Sequence, residues 1–230
     1  MGNRYRNEQK YLIQKTETGI IQMRLSGMLE KDPHLGDRAS YLIRSIYFDD
    51  LDDTCFHEKE DGVGIRRKWR IRAYSCSDSV IHLECKKKVG SMTWKDSVPI
   101  TRDELEAAVA GSVTIDKDKP PLWNEFALNI ITRGYRPVTI VQYERVPFIW
   151  YPSNVRITID KNLSSSNMYD RFFDEDLPTR PIMPQHLDLL EVKYDTLLPD
   201  YIRRMINLRD MRCSSFSKYD LCRRLPINPF

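Results

Sequence analysis

The chain has 230 residues, of which 41% are hydrophobic and 30% are charged, a composition typical of a folded protein and not of a disordered one. Lysine and arginine total 36 and aspartate and glutamate 33, so the net charge of +3 is smaller than a sequence-independent nucleic-acid binder usually carries. The length fits one domain, and we assign residues 1–230 to it.

The five cysteines and the first residues of the chain favour a cytoplasmic protein. The cysteine count is odd and no pair has C-x-x-C spacing, which argues against a disulfide framework and a zinc site. The chain opens MGNRYRNEQK, which does not resemble a signal peptide, and no run approaches the ~18 apolar residues of a spanning helix. We therefore expect a soluble cytoplasmic protein with no direct membrane insertion.

Eight segments are predicted to be β-strands, because apolar and charged residues alternate in them or because they are rich in aromatic and β-branched residues. In chain order they are residues 4–14, 40–49, 65–74, 81–89, 92–100, 138–148, 154–161 and 187–194. Residues 75–79 are predicted to form the turn between the third and fourth strands. Residues 164–184 are polar, contain prolines and are predicted to form a loop.

Six helices are predicted between and after these strands. They are residues 16–30, a short helix within 50–64, and residues 102–110, 122–132, 199–208 and 217–225. Thr101 and Glu104 are spaced as a capping box for the third helix. Pro120 and Pro121 begin the fourth helix and Gly134 ends it.

The strands at residues 65–74 and 81–89 each have one strongly charged face, because alternate side chains of a strand point to opposite sides. These faces hold Arg66, Lys68, Arg70 and Arg72 in the first strand and His82, Glu84, Lys86 and Lys88 in the second. An amphipathic antiparallel sheet usually turns such a face to water, or protects an edge strand with it. On these two strands alone, a solvated face is the better interpretation.

The same alternation recurs in most of the other strands and changes that interpretation. Its charged positions are Glu8, Lys10, Lys95, Arg145, Arg156, Glu191 and Lys193. Helices can cover the apolar faces, and a sheet that closes with helices outside turns its charged faces inward. We therefore predict an α+β fold, a closed antiparallel β-barrel tunnel of about eight strands with helices packed outside. Its lumen is expected to be a charged tunnel and not a packed core.

Cations that face one another across such a lumen repel by several kcal/mol per pair at an effective dielectric near 20, so they need an anionic ligand or interleaved carboxylates. Arg70 and Arg72 can each contact two phosphate oxygens, whereas Lys10, Lys86 and Lys95 would act as point charges. The sequence thus favours a ligand with several phosphate groups.

Glu8, Glu84 and Glu191 would repel that ligand unless one or more of them holds a divalent cation. Mg²⁺ and Mn²⁺ take hard oxygen ligands and can bridge a carboxylate to a phosphate. A metal and several cations would together stabilise the charge that develops on a transferred phosphoryl group.

A set of short motifs in a fixed order points to one family. The motifs are NEQKYLI, WRIRAY, LECKKK, TWKDSVP, YER, VRITID, LEVKY and SKYD, which span the chain from Arg6 to Tyr219. Together they resemble the catalytic domain of the vacuolar transporter chaperone (VTC), one of the triphosphate tunnel metalloenzymes. The first strand has E-x-K where other members have E-x-E-x-K, and this missing glutamate argues against the cyclase and triphosphatase branches.

The resemblance implies a polyphosphate polymerase that transfers the terminal phosphate of ATP to a growing chain of inorganic polyphosphate, with Mn²⁺ or Mg²⁺. The implied catalytic residues are Lys10, Arg70, Arg72, Lys86 and Lys218. The implied phosphate-binding set adds Lys88, Lys95, Arg145, Arg156 and Lys193. Glu191, with Glu8 and Glu84, would bind the metal, and Lys218 would close over the site.

The implied partners are ATP and polyphosphate, with no nucleic acid. Eukaryotic relatives also carry an inositol-phosphate sensor and transmembrane helices. Neither is found in this sequence, so we expect a compact protein of bacterial type that is compatible with a membrane-protein partner.

Three alternatives stay open at the level of the sequence. The same tunnel could hydrolyse triphosphate or short polyphosphate, because only the attacking group differs. The domain could bind polyphosphate without catalysis. A nucleic-acid binder is disfavoured by the near-neutral charge and by aromatic residues that do not share a face with the basic ones.

Overall fold

The computed structural model describes residues 6–32, 35–36, 38–89, 92–207 and 211–224. The strands in this part of the chain are β1 Asn7–Gln14, β2 Glu30–Lys31, β3 Tyr41–Asp49, β4 Ile65–Tyr74, β5 Ser77–Val89, β6 Met92–Ile100, β7 Arg136–Trp150, β8 Val155–Ser166, β9 Arg180–Pro181 and β10 Leu187–Tyr194. The helices are α1 Lys15–Ser26, α2 Thr54–Glu60, α3 Arg102–Ala110, α4 Pro121–Arg133, α5 Asp200–Ile206 and α6 Lys218–Arg224.

The predicted strands are all present, and three of the differences in element boundaries have clear local reasons. The turn before β5 consists only of Ser75 and Cys76, whose φ angles of 51° and 55° give a two-residue hairpin, so the prediction of a turn over 75–79 was too long. The helix predicted over 16–30 ends at Ser26, where Gly27 caps it. Residues 164–166 belong to β8 and not to a loop, because they pair with β7.

The strands of the described residues form one antiparallel sheet. Hydrogen-bonded neighbours follow the order β1-β10-β8-β7-β3-β4-β5-β6, with β2 added to β7 and β9 to β8. Within the described residues no ladder joins β1 to β6, so the predicted closure of the sheet into a barrel is not observed. A side-chain ion pair, Lys86 Nζ to Glu8 Oε2 at 3.0 Å, connects β5 to β1.

Two apolar cores cover the outer face of the sheet, as the amphipathic strands require. In the first, α3 and α4 pack on β3, β4 and β5, with Phe126 in contact with Trp69 and Phe48. In the second, α1 and α5 pack on β7, β8 and β10. The charged sides of these strands therefore lie on the opposite face of the sheet, which we call the inner face.

A third apolar cluster lies on the inner face, where the sequence predicted only charges. Tyr219 and Cys222 of α6 pack there against Ile43 and Tyr47 of β3 and Tyr143 of β7. Tyr219 is 2% exposed, and its hydroxyl donates to Asp49 Oδ2 at 2.5 Å. Part of the inner face is thus a packed core beneath a helix, because the strands carry apolar residues there.

No helix of the described residues is long and apolar enough to cross a membrane.

Candidate functional site: a charged inner face

The inner face gathers side chains from β1, β4, β5, β6, β7, β8, β10 and α6 around buried carboxylates. Strand register produces this arrangement: Lys10 is opposite Glu191, Arg70 is opposite Glu84, and Lys86 is opposite Lys95. Side chains that are opposite in an antiparallel pair have Cβ atoms about 4.5–5.5 Å apart, so these charges interact directly.

Glu84 is the centre of the first charge cluster. Its carboxylate is 1% exposed and contacts Arg70 Nη2 at 2.6 Å, Lys95 Nζ at 2.5 Å and Arg72 Nη1 at 3.9 Å. Burial acts to raise the pKa of Glu84, but Arg70, Arg72 and Lys95 outweigh it and hold the pKa well below its usual value. Glu84 therefore remains ionised at any ordinary pH.

Two tyrosines complete the surroundings of the arginines. Arg70 Nη1 donates to the hydroxyl of Tyr47 at 3.0 Å, and Arg72 Nη2 donates to the hydroxyl of Tyr143 at 3.3 Å. Burial acts to raise the pKa of Tyr47, but Arg70 and Arg72 lower it further than burial raises it. Both guanidinium groups are thus fixed in position before any ligand binds.

Glu8 is the centre of the second cluster. Its two oxygens contact Lys10 Nζ at 3.1 Å and Lys86 Nζ at 3.0 Å. Burial and the carboxylate of Glu191 raise the pKa of Glu8, but Lys86, Lys10 and Lys193 lower it to about 2. Arg6 lies two residues before Glu8, at the position of the missing glutamate, and pairs with Asp195 at 3.0 Å.

Glu191 and Asp160 form the third cluster with α6. Lys218 Nζ lies 2.7 Å from Asp160 Oδ2 and 3.9 Å from Glu191 Oε2, and Lys193 also contacts Glu191. Arg145 donates to both oxygens of Asp160, at 2.7 and 2.8 Å. Burial would raise the pKa of each carboxyl, but these cations lower the pKa of Asp160 and hold that of Glu191 well below its usual value.

Two of the predicted phosphate-binding residues lie apart from these clusters. Arg156 pairs with Asp32 at 3.0 Å, and its side chain is 44% exposed. Lys88 is opposite Arg66 and Thr93 and makes no ion pair with a described residue. The other predicted residues, Lys10, Arg70, Arg72, Lys86, Lys95, Arg145, Lys193 and Lys218, all belong to the three clusters.

The sequence-based prediction missed Asp160, Tyr47, Tyr143 and Lys68. Asp160 and Lys68 had a usable signal, because each shares a strand face with predicted residues, Arg156 and Arg70 respectively. Tyr143 had the same signal, because it shares a strand face with Arg145, whereas Tyr47 had none, because strands commonly carry aromatic residues for packing.

The carboxylates of the inner face suit a metal ion that takes most of its ligands from a bound phosphate and from water. No group of three or more His, Cys, Asp or Glu is arranged for a metal within the described residues. Glu8 and Glu191 lie on adjacent strands, close enough for the charge of one to raise the pKa of the other. A Mg²⁺ or Mn²⁺ ion bound by one or two carboxylates, with phosphate oxygens and water as its other ligands, fits this donor set.

Comparison with known proteins identifies the family. The VTC domain family matches residues 5–225. The chain belongs to the VTC domain family. The family that the sequence motifs predicted is therefore confirmed, and the match extends over nearly the whole chain. Among curated proteins, none matches the sequence of this VTC domain.

Solved structures of the same fold include two bacterial proteins. The "putative adenylate cyclase" of Vibrio parahaemolyticus aligns with a TM-score of 0.53 at 11% identity, over 96% of this chain and 99% of that chain. The "putative adenylate cyclase" of Bacillus halodurans aligns with a TM-score of 0.51 at 13% identity, over 89% of this chain and 87% of that chain. At these identities the similarity is one of fold.

Proposed function

We propose that this VTC domain is a metal-dependent polyphosphate polymerase, which transfers the terminal phosphate of ATP to a growing chain of inorganic polyphosphate. The observation that carries the proposal is the inner face itself. Its cations outnumber its carboxylates, converge from six strands and α6, and are fixed by ion pairs before a ligand arrives. A flexible linear polyanion is the ligand that such a surface suits.

Phosphoryl transfer needs mainly positioning and charge stabilisation, because little covalent chemistry falls to the protein. Arg70 and Arg72 are suited to hold phosphate oxygens in two-point contacts, and Lys10, Lys86 and Lys218 to neutralise charge on the transferred group. Lys88, Lys95, Arg145, Arg156 and Lys193 would bind phosphates on either side of the reacting position.

Glu191 is the best candidate for a metal ligand, because Lys218 Nζ is as far as 3.9 Å from its Oε2, whereas both oxygens of Glu84 have a cation within 2.6 Å. Glu8 lies on the adjacent strand. A bound Mn²⁺ or Mg²⁺ would supply Lewis-acid stabilisation of the phosphate oxygens. The residues of the chain bind and orient the phosphates around it.

The tunnel is part of this proposal. The Lys86–Glu8 ion pair brings β5 to β1, so the open sheet curves around the inner face, and α6 covers part of it. A chain of phosphates would lie along that concave surface. The proposal also includes a cytoplasmic site of action and is compatible with a membrane-protein partner.

A second candidate function is binding of polyphosphate without turnover. It is favoured by the absence of a three-carboxylate metal cluster from the described part of the chain. Hydrolysis of the same ligand is the third, because water could attack at the position where a chain end would.

One assay separates the three functions. The purified protein is incubated with ATP and Mn²⁺, with and without a short polyphosphate primer, and ADP release and polymer length are followed. Growth of long chains together with ADP is the expected result. Shortening of the primer, or release of free phosphate, would replace the polymerase with a hydrolase. Tight binding of the primer without either change would leave a binding module.

A further inference from the structure

Lys68 is a cation of the inner face that has no carboxylate partner among the residues that the structure describes. It belongs to a row of three lysines across adjacent strands, because Lys68 is opposite Lys86 and Lys86 is opposite Lys95. Neighbouring strands are about 4.8 Å apart, so the three ammonium groups add to one field. Glu8 neutralises Lys86 and Glu84 neutralises Lys95.

The contacts of Lys68 are instead with neutral groups. Its Nζ donates to Ser217 Oγ at 3.4 Å and lies 4.5 Å from the centroid of the Tyr219 ring. The nearest acidic residue of α6, Asp220, is held by Lys59 at 2.6 Å and by Arg224 at 3.3 Å. Within the described residues, Lys68 forms no ion pair.

Burial makes this arrangement costly for a protonated lysine. It lowers the pKa of Lys68 to about 8, although Tyr47 and Asp220 act to raise the pKa, and Lys59 lowers it further. The other groups that face Lys68 are the thiol of Cys55, the ring of Tyr219 and the ammonium group of Lys86. An anionic ligand at this position would recover the cost of burial.

We propose that Lys68 is a further phosphate-binding residue, which extends the row of Lys86 and Lys95 toward α2 and α6 and contacts a phosphate group of a linear polyphosphate. The proposal rests on the proposed function, since it assigns one more contact to the same ligand. The phosphate accepts from Lys68 Nζ and replaces the weak contact with Ser217.

The burial of Lys68 also gives a reason why the affinity for polyphosphate would depend on pH. A bound phosphate stabilises the protonated form of Lys68, so binding is accompanied by proton uptake when the pH is near or above 8. Affinity for polyphosphate is therefore expected to fall between about pH 7 and pH 9. Arginine at the same position keeps its charge across that range and should remove this part of the dependence.

The test measures the affinity of the full chain for polyphosphate of defined length by calorimetry, at pH 7 and pH 9, in three variants. Lys68→Gln should weaken binding about tenfold at pH 7, equal to ~1.4 kcal/mol. Lys68→Arg should bind as the original chain does at pH 7 and lose less affinity at pH 9. Lys87→Gln is the matched control, because Lys87 lies on the outer face, pairs with Asp96 at 3.1 Å and carries the same charge.

The outcomes separate this inference from the function on which it rests. If the original chain binds polyphosphate and the Lys68→Gln and Lys87→Gln variants bind it with equal affinity, the role of Lys68 is overturned and the proposed function is not. A pH dependence that Lys68→Arg leaves unchanged would overturn the linked proton uptake. Failure of the original chain to bind polyphosphate at all would overturn both proposals.

Discussion

The buried carboxylates of the inner face are kept ionised by the cations that we propose to bind phosphate. Glu84 is the clearest case, because Arg70, Arg72 and Lys95 all converge on it. In the absence of a ligand it acts as the counter-ion that permits three cations to share a small buried region. The same carboxylate therefore contributes to stability and limits how tightly a polyanion can bind.

Replacing Glu84 with glutamine is expected to reduce stability and to flatten its dependence on pH. The folded-state pKa of Glu84 is depressed, so its contribution is present above the unfolded value near 4.5 and is lost as the pH falls. At pH 7 the Glu84→Gln variant should lose up to about 3 kcal/mol in the free energy of unfolding, because two arginines lose their counter-ion. Between pH 5 and about pH 2 its stability should fall less steeply than that of the original chain.

Urea unfolding across this pH range measures both effects. Glu106→Gln is the control, since that glutamate forms an exposed pair with Arg102 on α3 and should change stability by less than about 0.5 kcal/mol. Parallel pH profiles for the Glu84→Gln variant and the original chain would contradict the argument.

Glu191→Gln is expected to remove metal-dependent turnover and leave the fold intact. Glutamine preserves the shape of the side chain. Lys218 keeps its ion pair with Asp160, and Lys193 is exposed enough to be solvated by water, so neither cation is left buried without a partner. The measurement is activity against Mn²⁺ concentration, with circular dichroism as the check on folding. Glu125→Gln, on the outer face with Arg67 and Lys87, should behave as the original chain does. Unchanged activity of the Glu191→Gln variant would exclude Glu191 as a metal ligand.

At the scale of elements, the packing of the apolar side of α6 places Lys218 in the site. Tyr219 and Cys222 pack in the cluster on the inner face, and this packing directs Lys218 toward Asp160 and Glu191. Ion pairs with α2, such as Lys59 with Asp220 and Glu60 with Arg224, hold the helix from its other side. A seven-residue helix would not be stable by itself, so these tertiary contacts determine that it forms.

By contrast, α3 is specified largely by its own sequence. Thr101 Oγ1 accepts from Glu104 N at 3.2 Å, and Glu104 Oε2 accepts from Thr101 N at 2.7 Å. Thr101→Ala should lower the free energy of unfolding by about 1 kcal/mol, whereas Thr101→Ser should retain most of it. Chemical denaturation measures the difference. Because α3 packs on the outer face, neither substitution should change polyphosphate binding. A loss of binding would contradict the assignment of the binding surface to the inner face.

At the scale of the whole molecule, the inner face carries more cations than carboxylates, so an anion would be attracted to it. An ion pair between Lys86 of β5 and Glu8 of β1, two strands that no ladder joins, brings distant parts of the sheet together around this face. Binding of an anion to the folded state alone shifts the unfolding equilibrium by mass action.

Polyphosphate is therefore expected to raise the midpoint of thermal unfolding. At a concentration one hundred times the Kd, the stabilisation is about 2.7 kcal/mol, which corresponds to roughly 5–10 °C for a domain of this size. Scanning fluorimetry or calorimetry measures the shift. Orthophosphate at the same total phosphate and ionic strength is the control, and an equal shift with both would argue against recognition of a chain.

The sequence predicted the α+β class and the strands, but not the open edge of the sheet, because the first two follow from local patterns. Alternation with a period of two identified the charged faces of β4, β5 and β10, and the Thr101 capping box identified the start of α3. The order of eight short motifs was enough to predict the family. The extent of β8 was missed, since three serines with no apolar alternation join the strand only through pairing with β7.

The sequence by itself determined which residues of each strand share a face and that most strands have cations on one face, because side-chain direction in a strand is a local property of the backbone. Only the tertiary structure decided which charges meet. Glu8 and Lys86 are 78 residues apart and Asp160 and Lys218 are 58 apart, and their contacts depend on strand order, register and the packing of α6. The open edge between β1 and β6 has the same origin, because closure depends on the curvature of the whole sheet and not on the pattern of any strand.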